Sequence, residues 1–211
     1  LLGAAAHLAA QIGGHVVAFG PAPGDPRRLG AWGADAVVAL HGAGIDVDRL
    51  VEEDIARALV EWAGANPPWA VLGPGTAWGR DVLSRAAAVL GAGLTGDAID
   101  LEARDGRLVA WKPAFGGKLV AEIHCSSPVQ MATVRSGVLA LRPPRDVVEP
   151  TLTSLTVEPR SRVTVLGRER DDDSDELATA DFVIGVGIGV SPDDYPLLRS
   201  LAERMGAVLC A

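Results

Sequence analysis

Few residues of this chain have the types and spacing for chemistry. The most conspicuous are Gly185-Val186-Gly187-Ile188-Gly189, which follow the apolar run Phe182-Val183-Ile184 and precede Ser191-Pro192-Asp193-Asp194. A β-rich run, a glycine turn and a helix start are the parts of a dinucleotide-binding turn. The spacing departs from that pattern, because G-x-G-x-x-G needs glycine at position 190, where Val190 stands. Ser191 is suited to cap the helix, Pro192 to open it, and Asp193 and Asp194 fall in its first turn. A helix N-terminus attracts anions through free N–H groups and its dipole, so two carboxylates there oppose a phosphate. By itself the turn is a poor pyrophosphate cradle. Its glycines either let the backbone come close to a ligand or another chain, or simply turn the chain. Leu197, Leu198, Leu201 and Met205 follow as the expected buried stripe.

The other candidates are weaker. Gly73-Pro74-Gly75-Thr76 lacks the lysine of a phosphate loop and reads as a tight strand-to-helix link. His124-Cys125-Ser126 suggests a nucleophile, but neighbours on a strand point to opposite faces, and no G-x-S-x-G elbow exists. His7, His15, His41 and His124 share no metal-ligand spacing. Arg80 is suited to pair with a carboxylate across a subunit interface, or to sit solvated on its helix. Arg135 is suited to brace two domains or a partner chain, or to form a surface ion pair worth under about 1 kcal/mol. Asp171–Asp175 holds four acids in five residues without an EF-hand pattern, and reads as a solvated hinge. No catalytic residue and no metal ligand is assigned.

The elements that must position these residues follow from hydrophobic period. Residues 1–13 are helical. His15–Gly20 and Asp35–Leu40 read as buried strands, with a short helix over Arg27–Trp32 stopped by Gly33. Val51, Ile55, Leu59 and Trp62 lie on one helix face. Trp69–Gly73 is a strand, and a long helix follows to about Leu90. This βαβα pattern with short links implies a parallel sheet covered on both faces by helices. Then the period changes. Asp97–Ala103, Leu108–Ala114 and Lys118–Cys125 read as an antiparallel meander, with Asp105-Gly106 as a hairpin turn. Gln130–Arg135, Leu152–Glu158 and Val163–Arg168 are further expected strands, and proline-rich Arg142–Thr151 is a surface connector.

Bulk properties exclude several classes. The 211 residues are 48% apolar and 22% charged, an ordinary globular balance. A formal charge of −8 weighs against a nucleic-acid or anionic-membrane surface. No apolar run approaches the roughly 18 residues of a membrane span, and the N-terminus has no signal-peptide pattern. Cys125 and Cys210 are far apart with no C-x-x-C, which suggests reduced thiols and a cytoplasmic setting.

Two longer stretches carry a resemblance. Pro113-Ala114-Phe115-Gly116-Gly117 and Gln130-Met131-Ala132-Thr133-Val134-Arg135 match motifs of electron transfer flavoprotein alpha subunits, with Val129 and Ser136 where the family has prolines. Thr76-Ala77-Trp78-Gly79-Arg80-Asp81 and Leu90-Gly91-Ala92-Gly93-Leu94 resemble that family's helix start and helix end. The similarity runs over nearly the whole chain. It implies an α/β fold: a doubly wound parallel sheet, Rossmann-like and nucleotide alpha-hydrolase-like, with an antiparallel strand addition. The first β-α unit of a second flavodoxin- or Rossmann-like domain follows. Residues 1–176 would form the N-terminal domain that packs on a beta subunit, lacking a first strand expected before Leu1. Residues 177–211 would begin the C-terminal FAD domain.

The resemblance further implies an electron carrier rather than an enzyme. FAD would shuttle electrons from dehydrogenases, such as the acyl-CoA dehydrogenases of fatty acid oxidation, to a quinone reductase. The AMP of many members sits in the beta subunit. Gly185, Gly187 and Gly189 are the residues expected near FAD. Most other contacts are expected beyond a Ser/Thr-Arg dipeptide after Ala211, so this stretch alone is expected to hold no flavin. Val186 replaces an arginine frequent in the family, so that contact does not carry over. Size supports a split domain: ordering the roughly 30 residues from 182 to 211 costs on the order of 45 kcal/mol, more than one helix on one strand offsets. Two readings from other classes remain: a free-standing adenine-nucleotide-binding α/β module, and a scaffold without ligand.

Overall fold

The computed structural model describes residues 1–211 except 22, 147–148, 170–175, 178 and 211. The acidic run Asp171–Asp175 therefore lies outside the described residues. The chain divides into two compact units, Leu1–Leu166 and Gly167–Ala211.

The first unit alternates helices and strands as the βαβα pattern requires. Its elements are α1 (Leu2–Ile12), β1 (Val17–Pro21), α2 (Pro26–Ala31), β2 (Ala36–Gly42), α3 (Glu52–Ala65), β3 (Ala70–Pro74) and α4 (Ala77–Leu90). Next come β4 (Gly93–Ala98), β5 (Asp100–Arg104), β6 (Arg107–Ala114), β7 (Leu119–His124), β8 (Gln130–Val134) and β9 (Thr151–Val157). Local chemistry sets several boundaries. The Asp25 carboxylate accepts the Arg27 N–H with Pro26 opening α2, and the Thr76 hydroxyl accepts the Gly79 N–H to cap α4. Gly91 ends α4 in the left-handed region, at φ 59°.

The parallel strands form two three-stranded sets, β1-β2-β9 and β3-β8-β4. Side chains of β8 alternate between two cores. Met131 joins Leu40, Leu59, Val82 and Leu83 under α3 and α4, whereas Ala132 meets Leu8 of α1 and Leu108 of β6 on the other face. Helices thus lie on both faces, the doubly wound arrangement. The antiparallel meander β5-β6-β7 is present as expected, with Asp105 (φ 51°) and Gly106 (φ 74°) in its first turn. The buried Gln130 side chain accepts the Leu108 N–H at 2.8 Å and ties β8 to β6.

Two expectations change here. Gly93–Ala98, whose first residues read as a helix end and whose last two as the start of the strand Asp97–Ala103, is a separate parallel strand. It follows β8 until a bulge after Thr95. Val163–Arg168 is irregular rather than a strand. The chain just before it is held by Asp54, a buried carboxylate in the first turn of α3 that accepts the Arg160 and Ser161 N–H groups. An irregular tether satisfied by a side chain replaces sheet pairing there.

The second unit holds β10 (Val183–Gly185), a 3₁₀ turn at Pro192–Asp194, α5 (Tyr195–Met205) and β11 (Val208–Cys210). β10 and β11 pair in parallel, Val183 with Val208 and Gly185 with Cys210. This is one βαβ unit. The expected buried stripe differs: Ala202 is the buried residue of α5, while Leu197, Leu201 and Met205 are exposed. Two three-residue strands offer too little surface to cover the helix.

Candidate functional site: two glycine turns

Parallel α/β sheets bind ligands at the carboxyl ends of their strands. The chain has a glycine turn at such an end in each unit. In the first unit, Gly75 follows β3 and its N–H donates to the Val134 carbonyl at 2.6 Å. A Cβ at Gly75 would stand 2.8 Å from that carbonyl oxygen, and one at Gly79 would stand 2.1 Å from the Pro74 oxygen. A Cβ at Gly73 would meet Leu83 at 2.8 Å. The chain's own packing accounts for all three glycines. The bland reading of this loop as a tight link is the correct one.

The second turn is the opposite case. Gly185 ends β10, and the Val186 N–H donates to the Cys210 carbonyl at 2.8 Å. The Val190 N–H donates back to Gly187, closing the turn at 3.1 Å. Ser191 accepts the Asp193 N–H at 3.4 Å, as its capping position predicts, although the turn it caps is 3₁₀ before α5 begins. Among the described residues, a Cβ on Gly185, Gly187 or Gly189 would meet nothing within 4 Å, and none of these glycines has a positive φ. All three are exposed, and Ile188 between them is fully so. Neither backbone conformation nor packing among the described residues requires glycine here. The open side of the turn can take a flat group against the main chain. Charge is the limit: Asp193 and Asp194 are both exposed in the first turn after it, and they oppose a phosphate.

Arg80 and Arg135 converge at the carboxyl ends of β3 and β8. Arg135 grips Asp97 with two hydrogen bonds, at 3.1 and 2.5 Å, and Arg80 approaches the same carboxylate at 3.8 Å. The bidentate Arg135 contact, with help from both arginine charges, holds the Asp97 carboxyl below the usual range. Asp97 sits at φ 63° in the β4 bulge, and its N–H donates to the Thr133 hydroxyl. The local ion pair read for Arg135 is therefore formed, and Arg80 joins it. Sequence reasoning missed Asp97 as the meeting point. Its signal is the Gly-Asp pair inside an otherwise regular strand, a composition that favours a bulge.

His124 and Cys125 do not assemble a nucleophile. The His124 Nε2 lies 2.8 Å from Glu122, while the Cys125 sulfur faces Thr95 at 3.8 Å. Among the described residues no group of histidine, cysteine and carboxylate could hold a metal, and no helix is long and apolar enough to cross a membrane.

A family model described as electron transfer flavoprotein domain matches residues 1–159. The chain is 33% identical to Protein FixB of Rhizobium meliloti, over 98% of this chain and 62% of that protein. It is 32% identical to the electron transfer flavoprotein subunit alpha of Thermoanaerobacterium thermosaccharolyticum, over 88% of the chain and 58% of the relative. It is 29% identical to the lactate dehydrogenase (NAD(+),ferredoxin) subunit LctC of Acetobacterium woodii, over 99% of the chain and 52% of the relative. The chain therefore spans roughly half to three-fifths of these relatives. The first and last alignments reach across the second unit as well as the first. With the family model covering most of the first unit, this chain belongs to the electron transfer flavoprotein family and is of its alpha-subunit type.

Proposed function

We propose that this chain is the scaffold and the start of the flavin domain of an electron transfer flavoprotein alpha subunit. In this reading, residues 1–176 dock a beta subunit and residues 177–211 open the FAD domain. The protein carries electrons and transforms no substrate of its own. FAD, when bound, supplies reversible acceptance of electrons, and the protein supplies position and electrostatics. Donors would be acyl-CoA or related dehydrogenases and the acceptor a quinone reductase, in the cytoplasm, with no nucleic acid and no membrane insertion involved. The carrying observation is the turn at Gly185, Gly187 and Gly189. Its missing side chains face open space at the end of a parallel strand, in a chain of flavoprotein family.

The residues fit the group in one respect. They allow main-chain approach by a flat ring or a ribose, while Asp193 and Asp194 keep phosphate charge away from the α5 terminus. The free-standing adenine-nucleotide module gains no support. Gly73 and Gly75 are glycines because a Cβ at either would clash with the chain's own atoms, and no lysine or arginine is among the described residues that line the cleft of the first unit.

The test uses the full-length alpha subunit co-produced with its beta partner. Gly187→Leu should lower the FAD retained per heterodimer and leave assembly intact on gel filtration. Unchanged flavin content in that variant would overturn the placement. Separately, tight ATP binding by this chain without a partner, measured by calorimetry alongside FAD, would overturn the electron-carrier reading in favour of the nucleotide module.

A further inference from the structure

Asp54, in the first turn of α3, is 2% exposed. A carboxylate shut away from water is costly unless opposite charge and hydrogen bonds compensate it. Here they do. One carboxylate oxygen accepts the Arg160 N–H at 2.9 Å and the Ser161 N–H at 3.2 Å, and pairs with the Arg57 guanidinium at 2.9 Å. Arg57 also donates to the Glu158 carbonyl. Beside it, the Ser161 hydroxyl donates to Glu53 at 3.3 Å and accepts the Val163 N–H at 3.1 Å. The first two turns of α3 thus hold residues 158–163 through side chains.

Stability is a poor explanation of this cluster. Replacing a buried ion pair by apolar residues of the same shape is often neutral or stabilising, and the better-attested use of such a pair is to specify one arrangement. The segment it holds adds nothing to the hydrophobic core. β9 and the core end together at Val157, which is 3% exposed, and none of residues 158–163 is buried. Ordering those residues costs conformational entropy, and no apolar burial offsets it. Pro159 removes part of that cost by fixing its own φ, and the charge-assisted bonds to Asp54 oppose the rest.

Past Val163 the ties stop. Among the described residues, no hydrogen bond involves Thr164, Val165 or Leu166, and Leu166 is 90% exposed. The boundary between the two units follows at once, between Leu166 and Gly167. The clamp therefore acts on the last stretch of chain that the first unit holds before the second begins. We propose that Asp54 is a positioning residue for electron transfer: it fixes the point and direction at which the chain leaves the first unit, and so limits where the second unit can be presented. This role deepens the flavin-domain reading and rests on it for the identity of what is presented. The negative charge is essential to it, because a neutral amide of the same size neither compensates Arg57 nor accepts two N–H groups as strongly.

Two variants break the clamp from opposite sides. Asp54→Asn keeps the volume and removes the charge, and Ser161→Pro removes an N–H and a hydroxyl from the held segment without touching α3. In this chain, hydrogen exchange at the Arg160 amide should speed by roughly tenfold or more in both variants, with β1 and β2 unchanged. A second readout separates position from stability. Spin labels on Val89→Cys of α4 and Glu203→Cys of α5, both exposed, with the native cysteines replaced by serine, report the distance between the units. They are read in the full-length alpha subunit, alone and with its beta partner. Both clamp variants should broaden or shift the distance distribution of the parent. Unchanged exchange at Arg160 in both variants would overturn the proposal. So would a distance distribution that coincides with the parent's although exchange has risen. Flavin content in the same samples bears on the flavin reading alone: a parent heterodimer without flavin would sink that reading, while the distances still decide the positioning role.

Discussion

Replacing Gly75 by alanine tests the distinction between the two glycine turns. Gly75 donates its N–H to Val134 at 2.6 Å, and a new Cβ would sit 2.8 Å from that same carbonyl oxygen. The atoms it meets are backbone, including the Arg135 Cα at 3.3 Å, so no side chain can swing away. Relief requires β3 and β8 to separate at their ends. Overpacking of this kind costs about 1–3 kcal/mol, and a weakened hydrogen bond adds about 0.5–1.5 kcal/mol. A combined loss of about 2–4 kcal/mol lowers the melting temperature of a unit this size by roughly 4–16 °C. All five tryptophans, at 32, 62, 69, 78 and 111, lie in the first unit, so tryptophan fluorescence on heating reports that unit alone. The paired control is Gly187→Ala, where the Cβ meets nothing. Without ligand its effect on whole-chain circular dichroism should be neutral or stabilising by up to about 1 kcal/mol, through the unfolded state. If Gly75→Ala melts with the wild type, or Gly187→Ala destabilises the ligand-free chain by more than about 1 kcal/mol, the contrast drawn between the two turns is wrong.

Three other outcomes are expected. Arg135 lowers the Asp97 pKa in the folded state, so the pair contributes stability above the unfolded pKa of about 3.9 and loses it as pH falls through the folded value. Asp97→Asn should flatten the acid limb of a pH-denaturation curve, and an unchanged limb would count against the pair. Met131→Ala, at a fully buried position of the central strand β8, should cost about 2–5 kcal/mol in urea midpoint analysis. Phe115 is 80% exposed at φ 52°, so Phe115→Gly should stabilise the isolated chain by about 1 kcal/mol, and loss of stability on that change would contradict the strained geometry.

The parallel layers of the first unit were legible because fully buried strands leave continuous apolar runs such as HVVAFG and WAVLG, and helices leave the 3.6 period of Val51, Ile55, Leu59 and Trp62. The Asp105-Gly106 hairpin was legible because few residue pairs tolerate two positive φ angles in succession. β4 was hidden. Gly93-Leu94-Thr95-Gly96-Asp97 has two glycines and a bulge, and its strand character comes from pairing with β8 rather than from propensity. Val163–Arg168 erred the other way: β-branched residues without strand pairing remain irregular. In the second unit the α5 period was read correctly but its burial was not, because period marks a face and says nothing of what covers it.

The glycines of the candidate site show what spacing can and cannot decide. Gly73 and Gly75, with Gly79 four residues further on, and Gly185, Gly187 and Gly189, two residues apart throughout, both mark the passage from a strand to a helix. From sequence each set can be read simply as a strand-to-helix turn. Geometry separates them, because a glycine is required either by the chain itself or by something outside it. The first set is required from within: each missing Cβ would fall less than 3.0 Å from an atom of the same unit. The second has no such atom and no positive φ, so if its three glycines are required, the requirement comes from outside the described residues. Bulky substitution in the second set should therefore leave the ligand-free chain intact and be felt only where the flavin domain is complete. A single glycine scan across both turns, read for stability in this chain and for flavin content in the full-length heterodimer, separates these two kinds of requirement residue by residue. Stability losses confined to positions 73, 75 and 79, with flavin losses confined to 185, 187 and 189, are the expected pattern. Flavin losses at the first set without loss of stability would move the cofactor's seat to the first unit.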